Sequence, residues 1–279
     1  MDTYEVLVEQ ENEEQVENQI RIDSLPAIEV NKIKVAEPPN DVEILAGPRA
    51  FSAGDELPDE YRELLIKLIY NHAEILDSKP YAAMIESQWQ LAQREAPSQL
   101  DLMMMARFHY EELNHGFIFS KILRDLGVDF ENFELRQYLF EYDRQDWLDL
   151  SIHHFLASKV GVMQIAEWND MSYAPVANVV PRVFREERGH AGMGYRHLRE
   201  ICATDEGKSE ANERMKVWWP MTLDMFGRSE STRNKRYRAW GLKKHTNAQL
   251  REAFIEDTVP QVEALGLDVP DHLENRRFL

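Results

Sequence analysis

Glu111-Glu112-Leu113-Asn114-His115-Gly116 and Glu186-Glu187-Arg188-Gly189-His190-Ala191 carry one pattern, Glu-Glu-x-x-His, repeated 75 positions apart. Each copy is followed at the same distance by a similar run, Leu123-Arg124-Asp125-Leu126 after the first and Leu198-Arg199-Glu200-Ile201 after the second. Duplication of a helical hairpin produces such a repeat. Residues i and i+3 share one helix face, so Glu112 with His115, and Glu187 with His190, can each grip one metal ion. The chain has 32 Glu and 9 His. By chance these give about one Glu-x-x-His but only about 0.1 Glu-Glu-x-x-His. Two occur, both in apolar helices. The plainer alternative is a set of polar side chains satisfying one another in a bundle core. The metal reading goes further: two such helices face to face hold two metals, and each remaining helix adds one carboxylate. Carboxylates with imidazole suit iron or manganese. A pair of iron(II) ions with open positions can reduce O2 by two electrons.

Outward from these motifs the chain reads as helix after helix. Pro58 suits a first helical position, with acidic residues in the first turn. Leu64, Leu65, Leu68, Ile69, His72, Ile75 and Leu76 recur at helical spacing. A break near 77–79 and a restart at Pro80 are expected, with helix to about Glu95. Ser98 caps a long helix through Leu126, stopped by Gly127. Further helices are predicted over about 131–142, 146–170, 175–201, 209–226 and 246–257. Strand signals are nearly absent from the body. The expected fold is all-α: an antiparallel four-helix bundle with extra C-terminal helices and an extended N-terminal arm.

The charge is uneven. The formal net charge is −18 over 279 residues. Residues 1–60 hold 4 basic and 16 acidic side chains, a net of −12, and five prolines. Residues 1–57 are therefore read as an acidic arm, extended or disordered, and 58–279 as the helical domain. Short pieces such as Ile28-Glu29-Val30 could pair as edge strands. The acidity excludes a nucleic-acid binder and docking on an anionic membrane. Cys202 is the single cysteine, which excludes an internal disulfide framework or a cysteine-rich metal site. No apolar run is long enough to span a bilayer, and no secretion signal opens the chain. A cytoplasmic protein is expected.

The sequence resembles the phenylacetic acid catabolic family of ferritin-like proteins across most of residues 58–271. Beyond the two Glu-x-x-His motifs, the resemblance lies in Trp218-Trp219-Pro220, Met225-Phe226-Gly227, Trp240, Thr246-Asn247, Thr258-Val259-Pro260-Gln261-Val262-Glu263, Leu265-Gly266 and Val269-Pro270-Asp271. It implies a di-iron monooxygenase or epoxidase of phenylacetate catabolism. In such proteins the metal pair activates O2 and inserts one oxygen atom into an aromatic ring carried as a CoA thioester. It also implies electrons from a separate reductase and assembly as a homo-oligomer or with a related helical subunit. Glu112, His115, Glu187 and His190 match the family's ligands. Glu74 is the expected first-helix carboxylate, with Glu86 as the fallback.

The third helix departs from the pattern. Its carboxylate belongs at Ser158, and no Asp or Glu occurs between Asp149 and Glu167. His154, one turn earlier, could substitute, whereas Lys159 could replace a metal's charge by pairing with Glu112 or Glu187. The alternative functions are therefore a non-catalytic scaffold subunit, or a ferroxidase or peroxidase on the same bundle. Trp218-Trp219 and Met103-Met104-Met105 are expected to pack in the core or an interface. Arg233, Lys235, Arg236, Arg238, Lys243 and Lys244 form the one basic cluster. It could receive the phosphates of a CoA-like ligand or an acidic partner, or be a solvated segment.

Overall fold

The computed structural model describes residues 35–76, 79–128, 139 and 142–278. The expected arm residues 1–34 and most of the predicted 131–142 helix lie outside the described residues. Eight helices occur among the described residues: α1 (Asp59–Leu76), α2 (Lys79–Glu95), α3 (Gln99–Asp125), α4 (Trp147–Ala166), α5 (Ala174–Ile201), α6 (Asp205–Asp224), α7 (Thr232–Ala239) and α8 (Asn247–Ala264). No strand forms among them, only an isolated bridge between Phe51 and Tyr173. The architecture is a helical bundle of the ferritin-like kind, in which α3 and α5 are the longest of the described helices, with 27 and 28 residues.

Local chemistry sets the helix ends. Ser98 accepts the Asp101 amide at the start of α3, Asp146 accepts that of Asp149 at the start of α4, and Thr204 accepts that of Gly207 at the start of α6. Thr246 and Gln249 form a reciprocal capping box on α8. Gly127 ends α3 at φ 77°, a left-handed conformation that suits glycine. The C-terminal part differs from the sequence expectation. A short helix, α7, forms inside the basic cluster, and α8 runs on past the predicted end at 257 through Pro260.

Two apolar clusters fill the bundle. One joins Tyr61, Leu65 and Ile69 of α1 to Phe119 and Leu123 of α3, Ile165 of α4 and Val176, Val180 and Val183 of α5. The other joins Leu91 and Ala92 of α2 to Met105, Phe108, Trp147, Leu150 and Met193. On α3, α4 and α5 alike, the stretch between the clusters holds the polar residues of interest. Both faces of that layer are thus closed by apolar side chains. Helices α4 and α5 approach closely at Gly194, where a Cβ would stand 2.2 Å from the Phe155 amide nitrogen and 2.7 Å from the His154 carbonyl carbon. Trp218 and Trp219 are fully buried, as expected for core packing; of the methionine run, Met105 is buried and Met103 exposed.

Residues 35–57 contain no helix. They run against the body through Leu45 N–H to the Ala239 carbonyl at 2.7 Å, Arg49 N–H to Met171 at 3.0 Å and Phe51 N–H to Ser172 at 2.8 Å. Asp41 accepts a two-pronged pair from Arg238, at 2.5 and 3.0 Å.

Candidate metal centre

The duplicated motifs face one another across α3 and α5. Glu112, His115 and Glu187 each offer a donor atom within 4.8 Å of the other two. His190 joins them, its Nδ1 2.9 Å from Glu112 Oε1 and 3.9 Å from Glu187 Oε2. His115 Nδ1 makes no hydrogen bond and stands 3.5 Å from Glu187 Oε1 and 3.8 Å from Glu112 Oε2. Ligands sharing one ion through bonds of about 2.1 Å lie roughly 3.0–3.8 Å apart, depending on the bond angle. The spacing around His115 falls within the range of ligands that could share one ion. All four residues predicted from the motifs are brought together.

The first glutamate of each motif has its own role, which sequence reasoning missed. Glu186 Oε2 lies 2.7 Å from His115 Nε2, and Glu111 Oε2 lies 2.9 Å from His190 Nε2. Each motif therefore supplies the outer partner for the other motif's histidine. Arg107 donates to Glu111 at 2.7 Å and Arg182 to Glu186 at 2.9 Å, so the duplication extends one helical turn upstream. An outer carboxylate fixes a ligating histidine's tautomer and ring orientation. The readable signal was the doubled glutamate with arginine four residues before it, in both copies.

Electrostatics follow from this crowding. Burial works to lower the His115 pKa, but Glu186, Glu187 and Glu112 overcome it and push it up to about 10. His190 is likewise driven against its burial, up to about 9, by Glu111 and Glu112. Burial raises Glu112, yet His190 and His115 bring it down to about 2. Glu187 is raised by burial and by the Glu112 charge. In the protein without metal, two imidazolium ions hold the carboxylates together. Two divalent ions would take over that task and displace the protons.

Residues 45–277 match the phenylacetic acid catabolic protein family. The chain belongs to this family. A relative, the A subunit of the 1,2-phenylacetyl-CoA epoxidase of Escherichia coli (strain K12), is 28% identical over 243 residues, covering 81% of this chain and 75% of the relative.

In this member of the phenylacetic acid catabolic protein family, α4 offers no carboxylate to the centre. Asp149 is held by Arg214 at 2.5 Å, Trp218 at 2.8 Å and the Gln145 amide at 2.9 Å. Glu167 is held by the His245 side chain and by the amides of Lys244 and His245. Gly161 instead makes room: a Cβ there would stand 3.0 Å from Glu187 Oε2.

Three expectations are corrected. Lys159 does not pair with Glu112 or Glu187; its ammonium lies 2.6 Å from Asp257 of α8. Burial brings its pKa down to about 8, against the pull of Asp257. Glu86 is exposed on α2 and accepts from Gln90 at 3.3 Å, so it is no substitute ligand. Its helix presents this turn to solvent while Ile85 and Gln88 turn inward. Three of the six cations of the basic cluster are already paired and so not free for an anion: Arg236 with Glu60, Arg238 with Asp41 and Lys244 with Asp170. The Glu74 side chain lies outside the described residues.

The remaining cations of that region border a cleft of about 560 Å³ lined by Leu68, Trp168, Arg228, Arg233, Tyr237 and Lys243, among others. Lys243 is half-buried there, and desolvation lowers its pKa against the pull of Glu167. No helix among the described residues is long and apolar enough to cross a membrane.

Proposed function

We propose that this chain is the oxygen-activating subunit of a multi-component oxygenase acting on an aromatic acyl-CoA thioester. The carrying observation is the reciprocal pair of Glu-Glu-x-x-His motifs, with both Nδ1 atoms facing a shared carboxylate pair. Glu112, His115, Glu187 and His190 would hold two iron ions, with Glu74 the proposed ligand from α1. When bound, such a pair supplies two electrons to O2. The chain's own residues do the rest. Glu111 and Glu186 keep each imidazole turned inward, and Arg107 and Arg182 hold those two glutamates in place. Phe108, 4.2 Å from the His190 ring, and Phe119 of the opposite cluster exclude bulk water. Family membership and the epoxidase relative support the substrate class.

An acyl-CoA carries several phosphates, which Arg228, Arg233 and Lys243 of the cleft would receive. Electrons would come from a separate reductase, since no glycine-rich phosphate loop marks a nucleotide cofactor site in the sequence. The relative is by name one subunit of an assembly. A stripe of exposed Leu100, Met103, Tyr110, Leu113 and Phe117 on α3 suits a related helical subunit or a second copy. A reducing cytoplasm fits the lone, buried Cys202. The scaffold alternative has lost its expected device, because Lys159 is spent on Asp257.

The test is incorporation of label from ¹⁸O2 into an arylacyl-CoA by the iron-loaded protein with its subunits and reductase. Labelled product is expected from the native chain, and its loss in Glu112→Ala and His190→Ala. Equal product from either variant would refute the proposal. Arg233→Glu with Lys243→Glu is expected to raise the KM for the thioester at least tenfold.

A further inference from the structure

We infer that His154 is the ligand α4 contributes to the metal centre, taking the position that a carboxylate fills in other bundles of this kind. The inference rests on the two-metal reading above. In such bundles each of the two helices lacking a Glu-x-x-His motif supplies one glutamate. Here α4 has none free: Asp149 and Glu167 are consumed at its two ends, and Lys159 faces Asp257.

His154 is the polar side chain that α4 places beside His190. It is only 4% exposed, and both its ring nitrogens are buried without a hydrogen bond among the described residues. Burying two imidazole nitrogens without partners is costly, so such a group calls for a partner. Its ring centre lies 6.5 Å from that of His190 and 5.8 Å from Phe108. Two imidazoles on one ion, with bonds of about 2.1 Å, have ring centres roughly 4.6–6.5 Å apart. His154 stands at the far end of that range, the separation at which two imidazoles bind opposite each other on an ion lying between them. Backbone geometry fixes it there, since the close approach of α4 to α5 at Gly194 falls at His154 itself. Neighbouring His153 has a different task, with its Nδ1 3.0 Å from Arg144.

The consequence is an asymmetric centre. The ion on His190 would have two imidazoles and one anionic ligand fewer, leaving it more positive than the ion on His115. Removing His154 should therefore empty one position and spare the other.

The experiment uses the full-length, metal-depleted protein titrated anaerobically with Fe(II), and separately with Co(II) as an optical probe. Bound ions per chain are counted. The native protein is expected to take two ions, and His154→Ala one, or two with the weaker site at least tenfold weaker. The His154→Asp variant should restore two ions, with a Co(II) spectrum changed by exchange of nitrogen for oxygen. His153→Ala should keep two ions and the native spectrum. Should His154→Ala fold poorly, His154→Gln of similar volume is read in the same way. Two ions with native affinities in both His154→Ala and His154→Gln, or an unaltered Co(II) spectrum in His154→Asp, would overturn the assignment. No uptake by the native protein would instead remove the metal centre itself, and the assignment with it.

Discussion

Gly161→Ala should separate the metal centre from the fold that carries it. Gly161 sits inside α4, where alanine is favoured over glycine by about 0.8–1 kcal/mol. The new methyl would stand 3.0 Å from Glu187 Oε2 and 3.1 Å from its Cδ. Ordinary contact begins near 3.4 Å, so the carboxylate must yield by about 0.4 Å. A side chain can give that much, so the backbone need not. Metal bonds tolerate only about ±0.2 Å, so the shift falls on the ligand set. The metal-free variant should therefore keep its Tm or gain about 2 °C, since about 1 kcal/mol moves a domain of this size by that much. Metal affinity should fall about 10–100-fold, the usual cost of disturbing a ligand's support. Calorimetry of the metal-free protein and an anaerobic Fe(II) titration measure the two quantities separately. Unchanged affinity would refute the placement of Glu187 as a ligand, and a fall of several degrees in the metal-free Tm would mean that the methyl drives the helices apart.

Three further outcomes follow from the same geometry. His115 and His190 bind protons up to about pH 10 and 9 in the metal-free protein. Loading at pH 7.5 should thus release about two protons per chain, and affinity should rise with pH up to that range; release near zero in a weakly buffered titration would contradict the histidine ligation. Asp101 is held down to about 2 by Ser98, Arg196 and His197, which overcome its burial. Its pKa is depressed on folding from 3.8, so its contribution of about 2 kcal/mol is present above pH 4 and lost as pH falls towards 2. Denaturant titration of Asp101→Asn should show that deficit at pH 7 and only about 0.4 kcal/mol of it at pH 2. Finally, Phe117→Lys with Met103→Lys should leave the Tm unchanged and abolish assembly with the partner subunit or a second copy in sedimentation. Full assembly would place the interface elsewhere.

The motif spacing was enough to bring Glu112, His115, Glu187 and His190 together, because i to i+3 register is a local property of a helix. The missing α4 carboxylate was legible for the same reason. What local spacing cannot carry is which side chain meets which across helices. Lys159 finds Asp257 98 positions away, and three of the basic cluster's six cations are paired with Asp41, Glu60 and Asp170 from three distant segments. The crossing of Glu111 to His190 and Glu186 to His115 likewise emerges only once α3 and α5 are packed. The short helix α7 was missed because its own sequence, Thr232–Ala239, has almost no apolar face. It is capped by Ser231 and tied down by ion pairs to Glu60 and Asp41 instead.

The central claim is that the duplicated motifs hold two metal ions side by side. The most direct measurement is Mössbauer spectroscopy of the full-length protein loaded anaerobically with ⁵⁷Fe(II) and then exposed to O2. Two irons per chain that become a spin-coupled diferric pair are expected, with coupling lost in Glu112→Ala. A single iron per chain, or two that remain magnetically independent, would contradict the account.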